Sequence, residues 1–479
     1  VIDDVDPRYM VQLGREETTT KQRYSILRQE DIDNDGDGER GEDPERGFDI
    51  NRNYPEGWFR DDGLPGGTGT YPGSSNETRA IMEFFTNHTN ILMAQNFHTS
   101  GGFTYRPMGT APSTSMAPKD VAVYDFIMGK KYLELNGLPV PEAWQKPDSL
   151  DRFKEELRRT SQNRYAIERG YEMPTGWIHG WREETDRRYG YGMVIDWMYM
   201  QFGAYSMTTE LWSSRRDMKG IPQFTGEDAN LQLERALLKY QDEQFSGNFF
   251  IDWTPFRHPE LGDGEIGGWI PKYRGNNAFP GETLIGVCEI HWQFELFKAN
   301  LLPEVVITDA QANVLYTTDN AIEAAVEKQG DQFTIKKGKT NGKYKVVKVT
   351  AVVENVGKHA TQLERGARLA GNREDAVWLI GDRDKMTFLQ GTPVQRIGVL
   401  EGTMPIPGFE QPAEQREARR PGARRGQPAG ERQAAQEAQP RTGSKREVTW
   451  LVAIEGDFPL KIVVTSQKGG TKVKEITIR

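Results

Sequence analysis

A single cysteine, Cys288, stands among 479 residues, which excludes intrachain disulfides and any metal site built on thiolates. Histidine and carboxylates remain as the side chains able to ligate a metal. No uninterrupted apolar run nears the ~18 residues that a membrane-spanning helix needs. Gly-rich phosphate loops and Gly-x-Ser-x-Gly elbows are missing, which argues against nucleotide enzymes and serine hydrolases. Basic excess is lacking too: 70 Asp and Glu against 61 Lys and Arg give −9, so nucleic acid is not expected as a partner. The first residues from Val1 carry neither an initiator Met nor the basic-then-apolar pattern of a signal peptide. A removed leader or a longer precursor is the expectation.

What is present suits a globular chain. Hydrophobic residues make up 36%, and 50 glycines bring the apolar class near its usual share. The length fits about three domains, or two if one is large. Residues 1–302 are rich in Trp, Tyr, Phe and Gly and mix helical with strand periodicity. Helices are expected at Glu77 to Asn87, Asp120 to Leu135, Leu150 to Glu168 and Asp228 to Phe245. Strands are expected at Ile91 to Phe97, ending at His98, and at Tyr205 to Leu211. Helices between strands predict an α/β sheet with functional residues at strand ends. Residues 303–479 change to short alternating runs at Lys343 to Val353, Val448 to Ile454 and Leu460 to Thr465. Period-two alternation between polar turns predicts an all-β sandwich of the immunoglobulin or fibronectin kind. Within it, residues 410–446 contain no Val, Ile, Leu, Met or aromatic residue, and nine Arg and Lys against five Glu give +4. Such an insertion cannot bury enough apolar surface to offset its ordering entropy and is expected to be disordered.

Four features follow one another along the first domain: Gly47 to Pro55 (GFDINRNYP), Asn76 to Ile81 followed by a run into Asn96-Phe97-His98-Thr99-Ser100-Gly101-Gly102, Ile195-Asp196-Trp197-Met198-Tyr199, and Thr208-Thr209-Glu210. Read alone, an Asn beside an Arg offers an amide and a planar cationic fork suited to bidentate capture of a carboxylate, or else a turn and a surface charge. His98 sits beside a flexible Gly pair, as a ligand or as a hydrogen-bonded structural residue. Glu210 ends a strand among apolar neighbours, where its pKa should rise, which suits a general base or a plain salt bridge.

The ordered set resembles the zinc carboxypeptidase family (peptidase family M14) over roughly residues 1 to 215. The resemblance implies a mixed-sheet α/β peptidase domain that hydrolyses C-terminal peptide bonds. It implies that Asn51 and Arg52 hold the terminal carboxylate, that His98 is one zinc ligand, and that Glu210 acts as base and then acid. Asp196 to Glu210 is a separation of fourteen residues, as the family leads one to expect. A substrate-capping tyrosine falls at Tyr189 after a one-residue shift, with Tyr191 behind it. Ile195 takes the position that helps set side-chain preference and hints at an apolar one.

One departure matters. The family's first two zinc ligands form a His-x-x-Glu motif upstream of the Asn-Arg pair. None of the six histidines, His88, His98, His179, His258, His291 and His359, has Glu three residues later. Arg8, Arg23 and Arg28 are unconvincing candidates for the family's carbonyl-polarising arginine. Zinc is therefore expected only if an upstream segment or a separate N-terminal chain of the same precursor completes the site. The rival is a non-catalytic extracellular binding or structural protein on an inactive peptidase scaffold.

A second metal signal lies at residues 31 to 42. Asp31, Asp33, Asp35, Gly36, Asp37, Glu39 and Glu42 fall on positions 1, 3, 5, 6, 7, 9 and 12 of the EF-hand loop. Gly38 stands where that loop has an apolar residue, so a free-standing calcium loop is expected, in a secreted or periplasmic setting; a solvated acidic turn is the alternative. The Gly/Trp-rich stretch from His258 to Trp269 is read as a loop, structural or lining the groove.

Overall fold

The computed structural model describes residues 1–14, 17–25, 49–60, 67–100, 103–109, 115–128, 178–180, 191–212, 221–222, 224–259, 262–270, 273, 277–319, 326–329, 332–335, 343–404, 406 and 443–478. The acidic segment (Asp31, Asp33, Asp35, Asp37, Glu39, Glu42), Tyr189, the helix expected from Leu150 to Glu168 and residues 410–442 of the insertion lie outside that set.

Ser75 opens helix α1 (Asn76–Asn87), its hydroxyl accepting from the Thr78 amide at 3.4 Å with Glu77 in the first turn. Strands β1 (Met93–Ser100) and β2 (Phe103–Arg106), helix α2 (Pro118–Met128), strand β3 (Ile178–Gly180), helix α3 (Val194–Phe202) and strand β4 (Tyr205–Trp212) follow. The strands form a mixed sheet in the order β1-β4-β2-β3, with β1 parallel to β4, β2 antiparallel to β4, and β3 parallel to β2. Residues 194–199 of α3 are all buried, and Val194, Ile195, Trp197 and Met198 share a core with Tyr54, Phe85 of α1 and Tyr105 of β2. Trp197 meets Phe85 edge-on at 5.8 Å and Phe202 at 4.8 Å.

Helix α4 (Ala229–Phe245), strands β5 (Phe250–His258) and β6 (Gly262–Trp269) and helix α5 (Glu282–Ala299) complete the first part. The stretch expected as a loop around His258 to Trp269 is instead a β-hairpin: β5 and β6 pair antiparallel from Phe250↔Trp269 to His258↔Gly262. Four glycines in the eight residues of β6 hid the alternation. Helix α5 escaped the sequence pattern because its apolar residues lie all round: Leu284, Ile285, Trp292 and Leu296 are exposed while Phe294 is fully buried.

Beyond residue 304 lie β7 (Val305–Thr318), the small pair β8 (Val326–Gln329) and β9 (Gln332–Ile335), β10 (Tyr344–Asn355), β11 (Asp375–Ile380), β12 (Met386–Gln390), β13 (Val394–Gly398), β14 (Lys445–Glu455), β15 (Leu460–Ser466) and β16 (Gly470–Ile476). Two four-stranded antiparallel sheets, β12-β14-β10-β7 and β13-β11-β15-β16, result. They share one core: Val347, Val349, Trp450 and Ile454 from the first meet Val377, Leu379, Ile462 and Val464 from the second. Trp450 is fully buried, its indole N–H donating to the Thr392 carbonyl at 2.8 Å.

The two-sheet region and the mixed-sheet region are joined by a buried seam. Leu363, with Met404 and Ile406, packs into the core formed by Leu92, Tyr124, Tyr199 and Tyr205. His359 donates its backbone N–H to Leu301 at 2.8 Å, and its ring lies 4.9 Å from that of Tyr205. Burial pulls the His359 imidazole down to about 3. Free histidine takes a proton near 6.5, so between about 6.5 and 3 the unfolded chain binds one proton more than the folded one. Stability is therefore lost as pH falls through that window, at ~1.4 kcal/mol per pH unit from this residue. Replacing His359 with Phe is expected to flatten the pH dependence by that amount. Denaturant midpoints of both proteins at pH 7 and 5 check it; parallel curves would contradict it.

Candidate active-site pocket

Asp49 begins a 3₁₀ turn at Ile50–Arg52, its carboxylate accepting from the Asn51 amide at 3.0 Å. The Asn51 side-chain oxygen accepts from the Val194 amide at 3.1 Å, docking the turn on the first residue of α3. Arg52 donates to the Asn51 carbonyl at 2.8 Å, and its guanidinium lies 5.8 Å from the ring centre of Tyr191, which packs on Phe59. Behind the turn, the fully buried Asn53 donates to the Thr68 and Tyr71 carbonyls and accepts from the Ser75 amide. Gly192 passes so close that a Cβ there would sit 2.3 Å from the Arg52 carbonyl oxygen, and its φ is +56°. Only glycine fits that crossing.

His98 and Glu210 occupy one rung of the parallel β1–β4 ladder. Residues in register on neighbouring strands point to the same face, and His98 Nδ1 lies 3.9 Å from Glu210 Oε1. That is too long for a hydrogen bond. Neither residue ends its strand as expected: the ladder runs on to Ser100↔Trp212. Burial depresses the His98 pKa; the Asp49 carboxylate opposes this and the Arg52 cation adds to it. The imidazole is thus neutral at neutral pH, and its approach to Glu210 is no ion pair there.

These groups line one pocket of about 210 Å³, in which Asn51, Arg52, His98, Ile195 and Glu210 meet. These five residues, singled out from sequence, converge there, whereas Tyr191 does not line the pocket. The other lining residues, Asp49, Tyr105, Met193 and Thr208, were not anticipated. Thr208 had a signal, since residues two apart in a strand share a face and it stands two before Glu210. Its hydroxyl oxygen is buried and has no hydrogen-bond partner among the described residues. Tyr105 had none, because nothing local announces that β2 pairs with β4. Asp196 does not face the pocket chemistry: its buried carboxylate accepts from the Gly109 amide, both oxygens at 2.9 Å.

A neutral imidazole at the pocket wall suits a metal ligand, but a catalytic zinc takes three protein donors. Among the described residues no three His, Cys, Asp or Glu gather in a way that would hold a metal. The described residues therefore do not hold zinc by themselves.

Against known families, residues 333–477 match a domain of unknown function (DUF8731). A search of curated proteins found no match. Residues 14–232, which include every residue lining the pocket, match the model of the zinc carboxypeptidase family. The part of the chain that carries this pocket belongs to the zinc carboxypeptidase family.

Proposed function

We propose that this protein is a metallocarboxypeptidase-type hydrolase that removes C-terminal residues from peptides. The observation that carries the reading is the convergence of a carboxylate-binding pair, a neutral imidazole and a carboxylate on a single pocket. Arg52 and Asn51 receive the terminal carboxylate: a guanidinium pairs with it bidentately, and the turn holds both residues before substrate arrives. Ile195, Met193 and Tyr105 present apolar surface to the last side chain, which favours an apolar or aromatic residue there. Glu210 takes a proton from the attacking water and delivers it to the leaving amine. His98 is one zinc donor, and the other protein donors come from an upstream segment or a separate N-terminal chain of the same precursor. Residues 303–479 act as a distinct β-sandwich domain. The acidic segment at 31–42 is a calcium loop, consistent with a secreted or periplasmic protein.

A second reading, a binding protein on an inactive peptidase scaffold, draws on the lack of a three-donor metal cluster among the described residues. Both readings share the carboxylate pocket and differ in turnover. Titrating the native preparation with a short peptide ending in Phe, with a free or an amidated C-terminus, tests the pocket. The free acid is expected to bind at least ~10-fold more tightly, since hydrogen bonds to charged groups contribute about 1.5–3 kcal/mol. Equal affinity would overturn the reading. Zinc analysis and release of free Phe from the same preparation then separate enzyme from binder.

A further inference from the structure

Helix α3 reaches from the pocket to the two-sheet region in nine residues. Its first turn belongs to the pocket. Val194 donates to the Asn51 side chain, Ile195 lines the cavity, and the Ile195 carbonyl accepts from the Ser206 hydroxyl of β4 at 2.5 Å. Its last turn belongs to the other region. A helix leaves its final carbonyls without intrahelical donors. Gly203, in the left-handed conformation at φ +57°, and Ala204 return their amides to Tyr199 and Met198. The Met200, Phe202 and Gly203 carbonyls accept from residues of the two-sheet region. Arg365 donates to Met200 at 3.1 and 2.8 Å, Asn372 to Phe202 at 3.3 Å, and Lys468 to Phe202 at 3.1 Å and Gly203 at 2.6 Å. The backbones themselves touch, since a Cβ on Gly203 would sit 2.3 Å from the Gly366 Cα.

A second set of bonds fixes the middle of the helix. The Tyr199 hydroxyl donates to the buried Asp120 carboxylate at 3.0 Å, and that carboxylate accepts from the Glu364 and Arg365 amides, both at 2.9 Å. Cations and donors at a helix C-terminus complement its dipole. Lys468 is 8% exposed, and burial pulls its pKa down to about 7; the two carbonyls that receive its amino group offset part of that cost.

We propose that the two-sheet region, whose family has no known function, serves as a positioning clamp for the substrate pocket. Arg365, Asn372 and Lys468 hold the C-terminus of α3, and so fix the first turn on which Asn51 and Ile195 depend. They are positioning residues, since none of them lines the pocket. The clamp rests on the carboxylate reading only where ligand affinity is the readout.

The experiment uses the full chain with Lys468→Met and, separately, Arg365→Met. Hydrogen exchange measured across residues 193–203 is expected to accelerate at Val194 and Ile195 as well as at the last turn, by about tenfold per charge-assisted bond pair removed. Exchange in β10 and β14 should stay unchanged. Affinity for the free-acid peptide ending in Phe should fall by about fivefold to tenfold, and Lys468→Arg should restore both readouts. Faster exchange confined to residues 200–203, with residues 194–195 protected as before, would overturn the clamp. If the wild-type chain binds no free-acid peptide, the carboxylate reading fails while the exchange data still decide the clamp. Should Lys468→Met and Arg365→Met not fold, Asn372→Ala removes one bond to Phe202 and one to Gly366 and is read by the same exchange criterion.

Discussion

Glu210→Gln is expected to reduce peptide turnover by roughly 10²- to 10⁴-fold, the usual contribution of a positioned acid–base group. Binding of the free-acid peptide should change much less. The argument starts from the ladder. Glu210 shares a rung with His98, its side chain is 16% exposed, and its Oε1 lies 3.9 Å from the imidazole. Glutamine keeps the size of the side chain and its place on β4, so the pocket walls formed by Thr208 and Ile195 are kept. It removes only the capacity to take a proton at neutral pH. Single-turnover rates and peptide affinity, measured on the same native preparation, separate the two effects. Turnover that survives the change would remove Glu210 from the chemistry, and affinity lost in step with rate would make it a binding residue.

Arg52→Met carries the second large effect, and it falls on binding. Methionine keeps an apolar stem of similar length, while the guanidinium, which lies 5.8 Å from the Tyr191 ring centre, disappears. The lost charge-assisted pair is worth about 1.5–3 kcal/mol, so affinity for a free C-terminal carboxylate should drop about 10- to 100-fold. Affinity for the amidated peptide should hardly move, because it offers no anion to the fork. Asn51 stays in place in this variant, since the Val194 amide holds its side-chain oxygen. Calorimetric titration of both peptides provides the comparison, and an equal loss for both would point to a collapsed turn.

How far the sequence reached depends on the range of the interactions concerned. The strands around His98 and Glu210, helices α1 and α4 and the alternating runs of β10, β14 and β15 were legible because periodicity and capping are local. So was the meeting of Asn51, Arg52, His98, Ile195 and Glu210, through an ordered set of motifs that a family shares. Tyr105 and Met193 were not, because the partner of a strand is chosen by the whole sheet. The stretch His258 to Trp269, which closes the hairpin and forms its second strand, reads as a loop from sequence, glycine being equally at home in both. Arg365, Asn372 and Lys468 offered no signal. Each is a polar residue in a turn or loop, and its role arises from a helix end more than 150 residues away.

Because β1 and β4 run in the same direction with His98 opposite Glu210, the gap between imidazole and carboxylate is set by inter-strand spacing and the two side-chain rotamers. Lengthening the connections leaves that gap untouched. Inserting or deleting a single residue between Met93 and His98, or between Tyr205 and Glu210, would rotate one of the two groups to the far side of the sheet. Chain length is therefore free to drift almost everywhere around this site, but those two short stretches tolerate exchange of residues and no change in their number.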